Sequence, residues 1–390
     1  MKITRVRARV VEWRGPTVPP QPHFCTSPTD LLGPAADSMA SFRFHGWLVA
    51  EVVTDTGHVG LGNAALAPRL AKQVIDEYLA PLLIGREAWD VEFLWQLMYR
   101  TTLAWGRKGI GMAAISAVDI ALWDLLGKAT GQPVFRLLGG RTKPSIPVYA
   151  SRLYSQDLDA LAAEAAGYHA AGFRAMKLRF GWGPTDGAAG MQKNVDLVRT
   201  VRDAVGDETD IMADAYMGWT LDYARRMIPR LEPLRLRWLE EPVIPDDIHG
   251  YAELNAMGRI PIAGGEHECT LHGFRELLEA RAVAYVQFDT NRVGGISQAR
   301  KVAALAEAHS VPVVPHAGQM HNYHVVMSSL NAPMAEFFPR VDVEVGNELF
   351  WYIFDGEPEA VGGAIDLRDD VPGLGLRIRE DALAGFTVIE

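Results

Sequence analysis

Three short stretches decide the fold: IMADAY at 211–216, RWLEEP at 237–242 and AGGEHE at 263–268. Each is an apolar run closed by a carboxylate (Asp214, Glu240, Glu266), and successive carboxylates stand 26 residues apart. A strand, a loop, a helix and a return loop take roughly 25 to 35 residues in a (β/α)8 barrel, so equal steps put the acids at the same end of successive parallel strands. They then converge on one space. Like charges at short range raise one another's pKa and resist this unless a cation joins them. A hard divalent ion with oxygen ligands, Mg2+, is expected, with Asp214, Glu240 and Glu266 as its ligands.

The same beat extends in both directions. VAYVQFD at 283–289 delivers Asp289, VPVVPHAG at 311–318 delivers His316, and NAPMAEFF at 331–338 delivers Glu336. Upstream, AMKLRF at 175–180 delivers Lys177 and Arg179, which are two apart and so face the same side of a strand. Polar groups at barrel strand C-termini read as catalytic, because the lower layers are filled by apolar side chains.

A chain of 390 residues is long for one ordinary domain and suits a barrel plus a second unit. Residues 1–130 read as an α+β unit: strands near 2–13 and 46–55, a Pro-, His- and Thr-rich loop from 16 to about 43, and helical patterns near 67–100 and 109–130. From about 146 to 338 apolar runs alternate with amphipathic helices such as NVDLVRTVRDAV and SQARKVAALAEAHS, which places the barrel within 131–346. The tail, 347–390, carries the turn signals DGEP, VGG and VPGLG and a short last strand, and is expected to return to the first unit. The fold class is therefore α/β, a (β/α) barrel with a separate α+β unit. The long loop before strand 46–55 has the length of a lid.

Net charge of −10 argues against nucleic acid or an anionic membrane as the principal partner, but not against a small acidic substrate, since a bound metal reverses the sign locally. Cys25 and Cys269 make neither a disulfide framework nor a zinc spacing, which fits a cytoplasmic protein. The N-terminal MKITRVRARVVEW alternates like an edge strand and lacks the apolar segment of a signal peptide or membrane helix.

The stretch AISAVDIALWDLLGKATGQPVFRLLGG at 114–140 and the ordered set Lys177, Asp214, Glu240, Glu266, Asp289, His316 and Glu336 resemble the enolase superfamily, in its mandelate racemase branch. The resemblance implies a modified TIM barrel with an α+β capping domain, an enzyme that removes the proton α to a carboxylate and holds the enediolate on Mg2+. GWGPTDGAAG at 181–190, GGEHE at 264–268 and His23 are similar to acid-sugar dehydratases of the rhamnonate type. PHAGQMHNYH at 315–324 resembles relatives that dehydrate lyxonate or cycloisomerise anhydrogalactonate. Relatives commonly form dimers or larger rings, so a homo-oligomer is expected.

A proton α to a carboxylate is barely acidic, so its removal needs an electrostatic sink and a base. His316 is the expected base, with Asp289 orienting its ring and raising its basicity. Arg179 stands where many relatives carry a second lysine base. A guanidinium stays protonated, so one base remains, which disfavours two-base racemisation and favours syn elimination. Lys177 and Arg179 would hold the substrate carboxylate, or one of them could pair with Glu241 or another neighbour. Glu336 is placed to accept a hydrogen bond from substrate or, if protonated, to donate one. His267, His23 and Arg43 are candidate sugar contacts; Glu241 reads as a supporting acid facing away along the strand, and His321 and His324 as supporting or surface groups. The expected activity is Mg2+-dependent dehydration of an aldonic acid, rhamnonate- or lyxonate-like, to a 2-keto-3-deoxy acid. The alternatives are a cycloisomerase or epimerase using the same enediolate, or a non-catalytic binding protein.

Overall fold

The computed structural model describes residues 1–33 and 44–390. The first unit is an antiparallel sheet of β1 (Ile3–Trp13), β2 (Gly46–Thr54), β3 (Val59–Ala64) and the C-terminal strand Phe386–Ile389. β1 pairs with β2 along its length and with Phe386–Ile389 over Val10–Trp13, so the edge-strand reading of the N-terminus holds for its first part and is corrected for its last four residues. Alternation reports which face of a sheet is buried and is blind to whether a second neighbour arrives from the far end of the chain.

The helix Ile110–Thr130 lies on this sheet. A Cβ on Gly60 would stand 1.9 Å from Ala121 O and one on Gly62 2.0 Å from Ala117 O, so glycine alone permits this approach. The helix is apolar on all sides because sheet and barrel cover it on opposite faces. It is long and apolar enough to cross a membrane, but 83% of its apolar window is buried, which makes it a core helix. Its two buried acids bind backbone: Asp124 accepts from Leu61 N and Leu374 N, both at 2.7 Å, and Asp119 accepts from Ser297 N at 2.9 Å.

The barrel comprises β4 (Ile146–Leu153), β5 (Ala175–Arg179), β6 (Asp210–Asp214), β7 (Trp238–Glu240), β8 (Ile262–Gly264), β9 (Tyr285–Val286) and β10 (Ala335–Phe337), parallel in the order β10-β4-β5-β6-β7-β8-β9. Residues 313–316 fill the remaining position through parallel bridges Val286↔Val313 and Asp289↔His316. The barrel is modified in that a short turn of helix, Phe350–Ile353, follows β10, and the strand Ala364–Ile365 pairs antiparallel with β4.

Tyr149, Ala175, Met212, Trp238, Ala263, Val314 and Met334 form one buried cluster inside the barrel. Two residues further along their strands come Ser151, Lys177, Asp214, Glu240, His316 and Glu336, the same face one layer up. An apolar floor thus carries a polar storey. Register fixes the level: Arg179 pairs with Asp214, and Asp214 with Glu240. Glu266 departs from the beat, three residues beyond Ala263, and the chain gets there through Gly265 at φ +121, a value that β-carbons oppose.

Candidate active site

The carboxylates Asp214, Glu240, Glu241, Glu266, Asp289 and Glu336 are all buried at the top of the barrel, facing the cations Lys177, Arg179 and Arg292. Lys177 Nζ donates to Glu240 Oε1 and stands 2.9 Å from Glu336 Oε1 and 3.7 Å from Asp214 Oδ2. Burial opposes its charge, but Glu240 and Glu336 outweigh that and raise its pKa well above the lysine range. Glu336 is also held by Ala317 N at 2.8 Å; burial pushes its carboxyl up, Lys177 and His316 push harder the other way, and it sits at about 2. Glu240 is raised by burial and by Asp214 and Glu336, with Lys177 opposing.

His316 Nδ1 meets Asp289 Oδ2 at 2.8 Å across neighbouring barrel positions. Asp289 is in turn fixed by Asn291 N at 2.7 Å and by Arg292 Nε at 3.0 Å. The carboxylate partner makes Nδ1 the protonated nitrogen and leaves Nε2 to the cavity, 3.5 Å from Glu266 Oε2. Burial disfavours the imidazolium, but Glu266 and the Asp289 hydrogen bond outweigh it and lift His316 to about 9.

Arg179 lies with its guanidinium over the Tyr154 ring at 5.0 Å and 3.7 Å from Asp214 Oδ2. Its buried Nη1 has no hydrogen-bond partner among the described residues, which leaves a cationic donor open. A cavity of about 30 Å3 joins Arg179, Asp214, Tyr216, Glu266, Arg292 and His316. A second, of about 20 Å3, continues past His316 to Gln319, Asn291 and the apolar Trp47, Ala65 and Leu66 of the capping unit. A larger cavity of about 620 Å3 lies between the helix Met320–Ser328 and the segment around 366–377. Among the described residues that line it, the one histidine, His324, is bound to backbone at Phe135 and Leu374 and not to a carboxylate.

The structure therefore gathers Lys177, Arg179, Asp214, Glu240, Glu266, Asp289, His316 and Glu336 at one mouth. His267 joins them by a different route: its Nδ1 is 3.0 Å from Glu241 Oε1, and its Nε2 3.8 Å from Glu266 Oε1. Burial lowers the pKa of His267, and Glu241 and Glu266 raise it to a net increase. Glu241 does not point away to a lysine. Its backbone turns at φ +39, which swings the side chain to His267. Among the described residues, Glu241, Glu266 and His267 are a group whose ligand atoms lie within 4.8 Å of one another, whereas Asp214 and Glu240 turn toward Lys177. Two donor sets thus share Glu266. Six buried carboxylates face Lys177, Arg179, Arg292 and the imidazoles of His316 and His267, and with Glu241 Oε2 unpartnered among the described residues the set fits a further hard cation in either arrangement.

His23 lies on the loop that docks over the barrel: its Nδ1 is 3.2 Å from Gly181 O and its ring stacks on Trp182 at 5.6 Å, while Thr26 binds Phe180 O and Ala215 O, both at 2.7 Å. Neither cavity at the mouth is lined by His23. Arg43 falls outside the described residues. His321 and His324 are buried, not at the surface. The sequence reading missed Gln287, which donates to Glu240 Oε2 at 2.7 Å, and Arg292, which bridges Glu266 and Asp289. Gln287 was within reach of the period-2 rule, two residues before Asp289 on the same strand face.

Residues 160–382 match the model of the enolase C-terminal domain-like family, and residues 24–139 that of the mandelate racemase / muconate lactonizing enzyme N-terminal domain. The chain belongs to the enolase superfamily. It is an enzyme of the mandelate racemase branch. It is 37% identical to an L-rhamnonate dehydratase of Saccharopolyspora erythraea over 86% of this chain and 84% of that one. Among solved superfamily members, rhamnonate dehydratase from Gibberella zeae complexed with Mg superposes with a TM-score of 0.85 at 31% identity, covering 99% of this chain and 96% of that one. The 3,6-anhydro-D-galactonate cycloisomerase from Zobellia galactanivorans superposes at 0.82 and 28% identity, covering 98% and 99%.

Proposed function

We propose that the protein is a Mg2+-dependent sugar-acid dehydratase that converts an aldonic acid to a 2-keto-3-deoxy acid. The observation that carries this reading is that, of the two carboxylate-paired histidines at the barrel mouth, His316 lines both cavities there and His267 lines neither. His316 is backed by Asp289, whereas Lys177 is locked by Glu240 and Glu336 and Arg179 is a guanidinium beside Asp214. With Lys177 and Arg179 held as cations and His316 the histidine that faces the cavities, the site suits elimination, in which one side chain acts twice, better than a racemase that needs acceptors on both faces.

Asp214, Glu240 and Glu266 would hold the metal, all-oxygen donors suited to Mg2+. When bound, Mg2+ supplies the positive charge that stabilises the second negative charge on the substrate carboxylate. Arg179, through its unpartnered Nη1, and Lys177 bind that carboxylate and orient it. Nε2 of His316 takes the α-proton while Nδ1–H stays on Asp289. The same Nε2–H then protonates the departing β-hydroxyl, so the C–O bond breaks as water leaves, and the resulting enol tautomerises to the keto acid. Glu336 keeps Lys177 charged, while His267, paired with Glu241, and His23, stacked on Trp182, line neither mouth cavity and would meet a hydroxyl only of a substrate that extends past those cavities.

The test is a keto-acid screen with semicarbazide against a library of mono- and di-acid sugars in the presence of Mg2+. Keto acid from an aldonate supports the reading. Solvent deuterium entering the α position without keto acid would favour isomerisation, the reading that the likeness to the cycloisomerase fold also admits.

A further inference from the structure

We propose that Arg292 is a positioning residue that yokes the metal side of the site to the base. The proposal rests on the dehydratase reading for the roles of Glu266, Asp289 and His316. Arg292 Nη1 is 2.9 Å from Glu266 Oε1 and its Nε 3.0 Å from Asp289 Oδ2, so one planar guanidinium spans the carboxylate expected to ligate the cation and the one that aims the imidazole. The side chain is largely buried and lines both cavities at the mouth, between which His316 stands.

The local sequence builds this clasp. In DTNRVGG, Asp289 accepts from Asn291 N through its side chain and from Arg292 N and Val293 N through its carbonyl, a tight turn that folds Arg292 back over Asp289. Gly294 and Gly295 follow at φ +116 and +76, and a Cβ on Gly295 would stand 2.3 Å from Asp119 Oδ2. Trp95 Nε1 holds Gly294 O at 2.8 Å and Ser116 Oγ holds Gly294 N at 3.0 Å. The turn is thus gripped by the capping unit and cannot drift.

Proton transfer requires the base and the substrate's α-carbon to keep their separation to within a fraction of an ångström. Glu266 sits on one strand end and Asp289 on the next, and both are anions that repel. A guanidinium fork between them sets their spacing; a lysine keeps the charge but offers one point instead of a rigid span.

The experiment uses the full-length protein with Arg292→Lys, Asp289→Asn and the double variant. Four readouts are compared: kcat and KM, α-proton exchange with solvent deuterium, Mg2+ affinity by calorimetry, and the His316 Nδ1–H resonance in 15N-histidine-labelled protein. For Arg292→Lys we expect kcat and α-exchange to fall together at least thirtyfold, with KM and the Mg2+ Kd within about threefold of wild type, and the Nδ1–H signal to shift or broaden. The double variant should be no slower than the slower single one, since both act through Asp289. Wild-type exchange rates in Arg292→Lys, or losses that multiply in the double variant, would overturn the proposal. α-Exchange reads the base step whether the product is a keto acid or an isomer, so failure of the dehydratase reading leaves this test intact.

Discussion

His316 Nε2 stands 3.5 Å from Glu266 Oε2, so the proposed base abuts one of the proposed metal ligands with no side chain between them. Whatever the cation holds is within reach of the imidazole. A substrate carboxylate drawn to a cation that Asp214, Glu240 and Glu266 would hold would therefore present its α-carbon on the side of His316.

The two donor sets around Glu266 make different predictions. With Asp214, Glu240 and Glu266 as ligands, Asp214→Asn, Glu240→Gln and Glu266→Gln each weaken Mg2+ binding by at least tenfold and remove nearly all turnover. Glu241→Gln stays within about threefold in Mg2+ affinity. Calorimetric titration of the four variants decides, and weak binding confined to Glu241→Gln and Glu266→Gln would assign the ion to the His267 side.

His316→Asn should abolish both dehydration and α-proton exchange, because Lys177 and Arg179 are held charged by their carboxylates. Asp289→Asn should fold normally and lose on the order of a hundredfold in kcat through loss of ring orientation, within the usual range for general acid–base assistance. Deuterium exchange by NMR measures both, and residual exchange in His316→Asn would reinstate a second base.

Acid lability has a separate origin. Burial depresses His321 and His324 to about 4 from the usual 6.5. His324 is bound as the neutral ring, accepting from Phe135 N at 3.0 Å with its Nε2 3.2 Å from Leu374 O, and neither nitrogen of His321 has a partner. Below pH 6.5 the unfolded chain takes up protons that the folded chain refuses, so stability present above 6.5 is lost as pH falls toward 4 and levels off beneath it. At about 1.4 kcal/mol per pKa unit the limit is on the order of 3 kcal/mol for each ring. His321→Leu should flatten this limb of a plot of Tm against pH while matching or exceeding wild-type Tm at pH 7.5, since it removes two buried unsatisfied atoms. An unchanged acid limb would count against the assignment.

For the docked loop, His23→Ala should raise KM or lower kcat for the true sugar acid at least fivefold while leaving the Mg2+ Kd unaltered. Steady-state kinetics with the substrate found in the screen provide the check; wild-type constants would make His23 a stacking partner of Trp182 and nothing more.

The barrel was legible because its signal is periodic and local: apolar runs ending in ionisable groups at a constant step mark parallel strands, and the step of two from Trp238 to Glu240 or from Met334 to Glu336 marks the inner face. The enclosure of the last four residues of β1 was not, since their second partner lies at the other end of the chain. Glu241 escaped for a subtler reason. Strand alternation sends the residue after Glu240 outward, but the backbone leaves the strand there with positive φ, and a turn of that kind re-aims a side chain without leaving a trace in hydropathy. Arg292 was missed because its importance is relational: an arginine three residues after an aspartate is unremarkable until the turn folds it onto Asp289 and Glu266.

The hydrogen bond from Ser297 N to Asp119 has an evolutionary reading. The helix Gly295–Ala308 of the barrel takes its N-terminal acceptor from a helix of the other unit, and Gly295 exists as glycine to let that carboxylate in. The two halves are therefore poor candidates for shuffling: a barrel recombined with a cap that lacks this aspartate loses the acceptor at the start of the helix that follows the Asp289 turn. A library that varies the loops while keeping residues 110–130 with the barrel leaves that junction whole.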